Sequence, residues 1–277
     1  MGVTPSRLLH LAGGCALAAT LLGGCAAPPE GPAPVTTSAA DVEQLRVEVL
    51  GSTPHDPAAF TQGLELDGGV LYEGTGLVGS STVRRTDPAT GAVEREVDLD
   101  PELFGEGITV AGDDLWQITW QDGIAIRRDP VTLAERSRTS YDGEGWGLCT
   151  QTGDAGTAPR LVMSDGTPTL TFRDPTTFEA TGSVEVTVDG TPVRNLNELE
   201  CVGGDVWANL WQTDQVVRID PTDGRVTAVV DATGLLPADQ RAGADVLNGI
   251  AAVPGTDRFL LTGKLWPTTF EVRFVPA

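Results

Sequence analysis

The chain has 277 residues, and its 39 acidic side chains outnumber the 18 basic ones to give a net charge of −21. This charge argues against nucleic acid, or an anionic membrane surface, as a partner held by electrostatic attraction. The length accommodates either one large all-β domain or two ordinary domains. The 34 glycines and 19 prolines interrupt the sequence too often for long helices, and no long window has a 3.6-residue apolar period.

Residues 1–25 have the pattern of a secretory signal peptide. Arg7 precedes an apolar run that is too short to span a membrane, and the run ends in the sequence LGGC at Cys25. This ending favours a bacterial lipobox, in which Cys25 is lipidated, and an ordinary cleaved signal is the alternative. Residues 26–42, rich in Ala, Pro, Thr and Gly, predict a flexible tether before a domain of residues 43–277. We therefore expect an extracytoplasmic protein that is anchored to the bacterial cell membrane only through Cys25.

Two markers recur along the rest of the chain. The first is a glycine-flanked step into a β-strand, with copies that read FTQGLEL, FGEGITV, GWGLCTQ, LNELECV and LNGIAAV. The second is an Asp-Pro turn flanked by alternating apolar residues, which indicates strand, turn and strand. Its copies begin 42, 45 and 46 residues apart, at Asp87, Asp129, Asp174 and Asp220.

The repeat predicts an all-β fold, a five-bladed β-propeller. Each unit has a further apolar stretch typical of a second strand, at residues 70–72, 115–116, 161–163, 206–207 and 259–261. Four short strands in each unit of about 40 to 50 residues are typical of a propeller, and five copies predict five blades. We expect the early strand around Arg46–Leu50 to complete the last blade beside Phe270–Phe274, which would remove the exposed sheet edges.

One side chain of each copy occupies an equivalent position at the start of the innermost strand. In a propeller these strands line a central channel, so the five side chains are expected to meet at one mouth of it. Only Glu106 among them exchanges a proton near neutral pH, and it is therefore the candidate catalytic acid. The alternative is that the polar groups merely hold buried water and each other. The set is Gln62, Glu106, Trp146, Asn197 and Asn248.

Three tryptophans follow the second strand of their repeats and are expected to flank the same mouth, namely Trp120, Trp211 and Trp266. Lys264, the only lysine in the chain, stands next to this set in the sequence GKLW. Indoles grouped beside one acid and one lysine suggest a binding site for a small amide or a sugar. Trp116 and Trp207 are predicted to belong to the core.

Two cysteines, Cys149 and Cys201, remain after removal of the leader, at nearly matching points of adjacent repeats. The predicted compartment permits disulfides, so a bridge between neighbouring blades and a pair of buried free thiols are both compatible with the sequence. A catalytic thiol is disfavoured, because His55 is the one histidine that remains to activate it and is far from both cysteines in sequence.

The strings AFTQGL, FGEGIT, WGL, SDGT, LNELE, VWANLWQTD, DVLNGIA and TGKLWP resemble the plant-type glutaminyl-peptide cyclotransferases, also called glutamine cyclotransferases. The resemblance extends in order from about Phe60 to Phe274. It implies a five-bladed β-propeller enzyme that converts the N-terminal glutamine of peptides or proteins to pyroglutamate with release of ammonia. It places the catalytic acid of the family on Glu106. The substrate-binding residues that it implies are Phe60, Gln62, Trp120, Trp146, Asn197, Trp211 and Lys264, to which the repeat adds Asn248.

The implied chemistry needs one proton shuttle. Glu106 would accept a proton from the substrate's α-amine as that amine attacks the γ-amide carbon, and then return it to the departing NH2 group. Lys264 has two open roles: to oppose, by its charge, the rise in the Glu106 pKa that burial causes, or to polarise the γ-carbonyl together with Gln62 or Asn197. We expect a monomer without a required cofactor, and a structural calcium ion is left open.

Two other function classes fit parts of the pattern. Glu106 with Asn197, Asn248 and Gln62 is an oxygen-rich set that would suit a Ca²⁺-dependent lactonase or esterase, although the ammonium of Lys264 would oppose a cation. A non-catalytic, lipid-anchored propeller that binds partners through its rims is the other class. A zinc enzyme is disfavoured, because zinc sites favour His and Cys ligands and His55 is the one histidine that remains after removal of the leader.

Overall fold

The structure is a computed structural model that describes residues 42–153 and 158–277. The predicted signal peptide, Cys25 and nearly all of the predicted tether lie outside the described residues. Within the described part of the chain, no helix is long and apolar enough to cross a membrane.

The described chain consists of short β-strands joined by turns, as the frequent glycines and Asp-Pro turns predict. The strands are β1 (Glu43–Pro54), β2 (Thr61–Asp67), β3 (Val70–Thr75), β4 (Thr82–Thr86), β5 (Val93–Asp98), β6 (Gly105–Ala111), β7 (Asp114–Thr119), β8 (Ile124–Arg128), β9 (Glu135–Ser140), β10 (Leu148–Gln151), β11 (Arg160–Met163), β12 (Thr169–Arg173), β13 (Ala180–Glu185), β14 (Thr187–Val188), β15 (Thr191–Pro192), β16 (Leu196–Val202), β17 (Asp205–Leu210), β18 (Gln215–Asp220), β19 (Arg225–Asp231), β20 (Leu247–Ala252), β21 (Arg258–Gly263) and β22 (Thr268–Pro276). A single turn of 3-10 helix, Ala238–Gln240, is the only helical element of residues 42–153 and 158–277.

The strands form antiparallel groups of four in chain order. Strands β2 to β5, β6 to β9 and β10 to β13 are separate sheets, and β16 to β19 form the next group. The last group combines β20, β21 and β22 with β1, and parallel pairing of β1 with β19 joins the last two groups into one sheet. The small hairpin of β14 and β15 is attached to β19.

The first strands of the groups form a closed ring. Strand β2 packs against β6, β6 against β10, β10 against β16, β16 against β20, and β20 against β2. The all-β propeller class predicted from the repeat is therefore confirmed. The number of blades stays a prediction, which the five four-stranded groups of the described residues support.

The N-terminal strand closes the last group, as predicted. β1 runs antiparallel to β22, with Val47 opposite Phe274 and Ser52 opposite Phe270. This pairing joins the two ends of the domain and covers the strand edge that β22 would otherwise expose.

The Asp-Pro turns connect the third and fourth strands of four groups, where the sequence predicted a turn between strands. Each aspartate carboxylate accepts a hydrogen bond from the backbone N–H two residues further on, which fixes the turn.

A disulfide links the inner strands of two neighbouring groups. Cys149 of β10 and Cys201 of β16 are bonded, with their Cα atoms 5.5 Å apart. The structure therefore has the bridge, which the sequence left open against two free thiols. Trp116 and Trp207 are buried in the core, as predicted.

Candidate active site

A cavity of about 350 Å³ opens where the inner strands begin. Its size is within the range of small-molecule sites. Of the side chains predicted to meet at this mouth, all except Asn248 and Trp266 line it. The lining residues are Phe60, Gln62, Leu77, Phe104, Glu106, Trp120, Trp146, Asn197, Trp211, Gln212, Asp245, Val246 and Lys264.

The glycine of the repeat explains why these side chains converge. A Cβ atom at Gly63 would lie 2.6 Å from the backbone nitrogen of Ile108, and one at Gly107 would lie 2.6 Å from that of Leu148. Both distances are far below a normal van der Waals contact. Glycine therefore lets neighbouring inner strands approach closely just after Gln62 and Glu106, which brings the preceding side chains together at the mouth.

Glu106 is the buried acid of this cavity, with 5% of its surface exposed. Burial raises its pKa well above the usual value, because the charged form loses its hydration. The positive charge of Lys264 opposes this rise, and the negative charge of Glu144 adds to it. A carboxyl with a raised pKa can both hold and release a proton closer to neutral pH than an exposed one.

Lys264 is the buried basic residue of this cavity. Its ammonium nitrogen lies 4.8 Å from the centre of the Phe60 ring, a cation–π distance. Burial lowers its pKa, and the charges of Glu106 and Asp245 oppose that change. Glu106 and Lys264 thus each oppose the pKa shift of the other.

The predicted amides occupy different positions. Gln62 and Asn197 line the cavity and are nearly fully buried. The amide oxygen of Asn197 is itself buried and has no hydrogen-bond partner among the described residues.

Asn248, for which the sequence predicts a substrate-binding role, does not line the cavity, and that role stays a prediction. Its amide nitrogen donates to the backbone oxygen of Thr61 at 3.1 Å and to the side-chain oxygen of Gln62 at 3.3 Å. Asn248 is fully buried and orients Gln62 rather than facing the cavity.

Two aromatic groups form the walls. In the first group the ring of Phe104 is 6.4 Å from that of Phe60 and 5.5 Å from that of Trp120. In the second group the rings of Trp146 and Trp211 are 5.4 Å apart and nearly perpendicular. These walls offer flat apolar faces to the aliphatic part of a ligand.

Trp266 does not join these walls, contrary to the sequence-based expectation. Its indole N–H donates to the backbone oxygen of Asp245 at 2.8 Å, and its ring packs edge-on against Phe270 in the core. Trp266 contributes instead to a smaller neighbouring cavity with Asp214 and Arg241.

Sequence reasoning missed several lining residues. Phe104 stands two positions before Glu106 in the recognised string FGEGIT, so its place in the motif was an available signal. Gln212 and Asp245 stand in the strings VWANLWQTD and DVLNGIA and had the same signal, whereas Leu77 lies in a loop outside every quoted string. Among residues 42–153 and 158–277 there is no group of three or more His, Cys, Asp and Glu side chains arranged to hold a metal ion.

Comparisons with known proteins all point to one family. A family model described as glutamine cyclotransferase matches residues 16–274. The chain is 41% identical over 237 residues to the glutaminyl-peptide cyclotransferase of Arabidopsis thaliana, an alignment that covers 83% of this chain and 72% of that protein. The crystal structure of Myxococcus xanthus glutaminyl cyclase matches with a TM-score of 0.77 and 36% sequence identity, over 85% of this chain and 99% of that chain.

Proposed function

Because the chain belongs to the glutamine cyclotransferase family, we propose that its cavity binds the N-terminal glutamine of a peptide or protein and converts it to pyroglutamate with release of ammonia. The observation that carries this proposal is a single buried carboxyl, Glu106, in an aromatic cavity that also holds Lys264 and two amides. The aromatic walls suit the aliphatic stem of glutamine, and the polar groups suit its amine and its amide.

Glu106 is the proton shuttle of the proposed reaction. The α-amine nitrogen forms a bond to the γ-amide carbon, and the bond from that carbon to NH2 breaks. The amine loses one proton in this exchange, and the departing NH2 gains one to leave as ammonia. The Glu106 carboxylate accepts the first proton and delivers it to the leaving group, which balances the reaction without another reactant.

Positioning supplies much of the rate. Amine and amide belong to one residue, so a cavity that holds them in the five-membered arrangement removes most of the entropic obstacle. Asn197 lines the cavity, so its side-chain amide is suited to hydrogen-bond a polar group of the substrate. Lys264 and the Gln62 amide group are suited to stabilise the negative charge that grows on the γ-carbonyl oxygen.

The test compares wild type with Glu106→Gln on a peptide that begins with glutamine. Turnover is measured as ammonia release and as a mass loss of about 17 Da, and the ratio of kcat/KM values gives the contribution of the proton shuttle. Glu102→Gln is the matched control, since it removes an exposed carboxylate four residues away. We expect the Glu106 variant to lose at least about a hundredfold and the control to lose little.

The outcomes separate the function classes. Wild-type activity that survives EDTA and collapses only in Glu106→Gln supports a cyclotransferase whose chemistry needs no dissociable metal. Equal activity of Glu106→Gln and wild type would refute the proton-shuttle role. A correctly folded wild type that turns over no such peptide would refute the function and favour lactones with Ca²⁺, or a non-catalytic binding role.

The proposal includes an extracytoplasmic, lipid-anchored location. It is supported by the LGGC sequence at Cys25 and by the disulfide between Cys149 and Cys201, a bond that persists in oxidising compartments. Incorporation of labelled fatty acid into the full chain, lost in Cys25→Ser, is the expected result. Labelling of both proteins, or of neither, would refute the anchor.

A further inference from the structure

One carboxylate outside the predicted site connects the two aromatic walls of the cavity. Glu144 lies in the connection between β9 and β10. One of its oxygens, Oε2, accepts the indole N–H of Trp120 at 2.8 Å and that of Trp146 at 3.0 Å. Its other oxygen, Oε1, accepts the side-chain amide of Gln121 at 2.8 Å.

The two indoles belong to different strand groups and to different walls. Trp120 follows β7 and contacts Phe104, while Trp146 precedes β10 and contacts Trp211. Glu144 therefore couples the Phe104–Trp120 wall to the Trp146–Trp211 wall through a single carboxylate oxygen. Hydrogen bonds to a charged acceptor are stronger than neutral ones and fix ring orientation better.

The backbone around Glu144 is held without its side chain. The backbone N–H of Gly145 donates to the oxygen of Trp120 at 2.9 Å, and that of Trp146 donates to the oxygen of Ser164 at 3.0 Å. The Trp146 ring also packs against Gly166, where an added Cβ would lie 2.7 Å from it. Removing the Glu144 carboxylate should therefore free the indole planes while the fold stays intact.

We infer that Glu144 is a positioning residue for the cyclotransferase site: it holds the indoles of Trp120 and Trp146 in the planes that receive the substrate glutamine. This inference rests on the proposed function, but its structural half can be measured without turnover. Glu144 does not line the cavity itself, so its action on the substrate passes through the two indoles and through its charge.

The charge of Glu144 is available over the range in which Glu106 titrates. Burial favours the neutral form of Glu144, but the hydrogen bonds from Gln121, Trp146 and Trp120 outweigh it and lower its pKa. The charge of Glu144 raises the pKa of Glu106. Loss of that charge should thus move the pH range in which Glu106 is ionised to lower values.

Two substitutions separate the geometric role from the electrostatic one. Glu144→Gln keeps an amide oxygen that can accept an indole N–H but removes the charge, whereas Glu144→Ala removes both. Asp142→Asn is the matched control, because it removes an exposed carboxylate two residues away in the same connection. Each protein is assayed for kcat/KM against pH with one glutamine-initiated peptide, so the titration of the peptide's own amine is common to all.

We expect the acidic limb of the kcat/KM profile to move to lower pH in both Glu144 variants. The maximum should fall about tenfold in Glu144→Gln and further in Glu144→Ala, as expected for lost hydrogen bonds to a charged group. Near-ultraviolet circular dichroism should change in Glu144→Ala, since the indole planes are freed, while its far-ultraviolet spectrum and Tm stay close to those of wild type. Asp142→Asn should match wild type throughout.

The result that overturns the inference is an acidic limb and a near-ultraviolet spectrum that are the same in Glu144→Ala and Asp142→Asn. If the wild type turns over no glutamine-initiated peptide, the proposed function fails, and the near-ultraviolet comparison alone decides whether Glu144 holds the indoles. If Glu144→Ala loses activity only because it unfolds, its Tm will be lower than that of wild type. The kcat/KM profile of Glu144→Gln then decides whether the inference holds.

Discussion

Removal of the disulfide should destabilise the domain by about 4 kcal/mol. Cys149 and Cys201 are separated by 52 residues, so the bridge closes a long loop in the unfolded chain. A loop of this length loses about 14 cal/mol/K of chain entropy when it is closed, which corresponds to about 4 kcal/mol at room temperature. For a domain of this size the expected fall in Tm is about 8 to 16 °C.

Urea unfolding of the same protein with and without a thiol reductant measures this loss of stability. The wild type should lose about 4 kcal/mol in the presence of reductant. A Cys149→Ala/Cys201→Ala variant has no bridge to lose, so reductant should not change its stability. The reduced wild type and this variant should agree to within about 1 kcal/mol, a difference left by the packing of the sulfur atoms.

The reasoning would be refuted if reductant lowered wild-type stability by less than about 1 kcal/mol while thiol titration found both cysteines free. Such a result would mean that the contacts between β10 and β16, and not the bridge, hold these inner strands together. Activity supplies an independent check, because the disulfide lies away from the cavity lining. The reduced enzyme should keep its kcat/KM as long as it stays folded.

Three further predictions concern charged groups. Burial raises the pKa of Glu65 to about 7, so the stability that its protonated form contributes at acidic pH is lost as pH rises towards that value. The Tm of wild type should therefore decline between about pH 5 and about pH 8, and Glu65→Gln should make this decline smaller. Burial alone would lower the pKa of His55, but the hydrogen bond and charge of Glu73 outweigh it and raise that pKa. His55→Leu should therefore lower the free energy of unfolding by about 3 kcal/mol at pH values below the usual pKa of histidine, and by less as pH rises through the folded-state pKa. Equal shifts of the urea midpoint at all pH values would contradict this. Lys264→Met should move the acidic limb of kcat/KM to higher pH, because the charge that lowers the pKa of Glu106 is removed; a shift to lower pH would exclude that coupling.

The repeat register predicted the cavity because the start of an inner strand is fixed by backbone geometry. Gln62, Glu106 and Asn197 occupy the same place in three groups, and all of them face the cavity. Asn248 shares the register and yet lies behind Gln62, to which it donates a hydrogen bond. Equivalent backbone positions thus bring side chains together, but which of two neighbours reaches the ligand depends on side-chain packing that spacing does not encode.

Loops explain what could not be predicted. Trp266 stands three residues after the end of β21, whereas Trp120 directly follows β7, and Lys264 takes the position equivalent to Trp120. The connection from β19 to β20 supplies the Asp245 carbonyl that binds the Trp266 N–H. Glu144 lies in another connection, and its contacts with two indoles depend on where that connection meets the loop after β7. Loop conformation is set by such tertiary contacts and not by hydrophobic periodicity, so Glu144 carried no sequence signal.

The fourth copy of the repeat shows how the ring tolerates a departure from glycine. Glu198 stands where Gly107 stands in the second copy, and its carboxyl accepts the backbone N–H groups of Leu64 at 3.1 Å and Ile250 at 2.9 Å. These residues belong to β2 and β20, so the side chain joins two inner strands across the ring. Burial raises the pKa of this carboxyl well above its usual value, although both hydrogen bonds oppose the rise. Its role is therefore structural, and a buried acid with a raised pKa does not by itself identify a catalytic group.

Glu106 differs from Glu198 in what surrounds it. Both carboxyls are buried, but Glu106 lies in an open cavity. Its pKa is lowered by the positive charge of Lys264 and raised by the negative charge of Glu144. A proton shuttle must exist in both protonation states during turnover, so burial alone, which favours only the neutral form, would disable it. The charge of Lys264 favours the charged form of Glu106, and the charge of Glu144 disfavours it. Since these two residues lie in connections of different strand groups, the pH range of the reaction can change through either loop without any change to the strand that carries the acid.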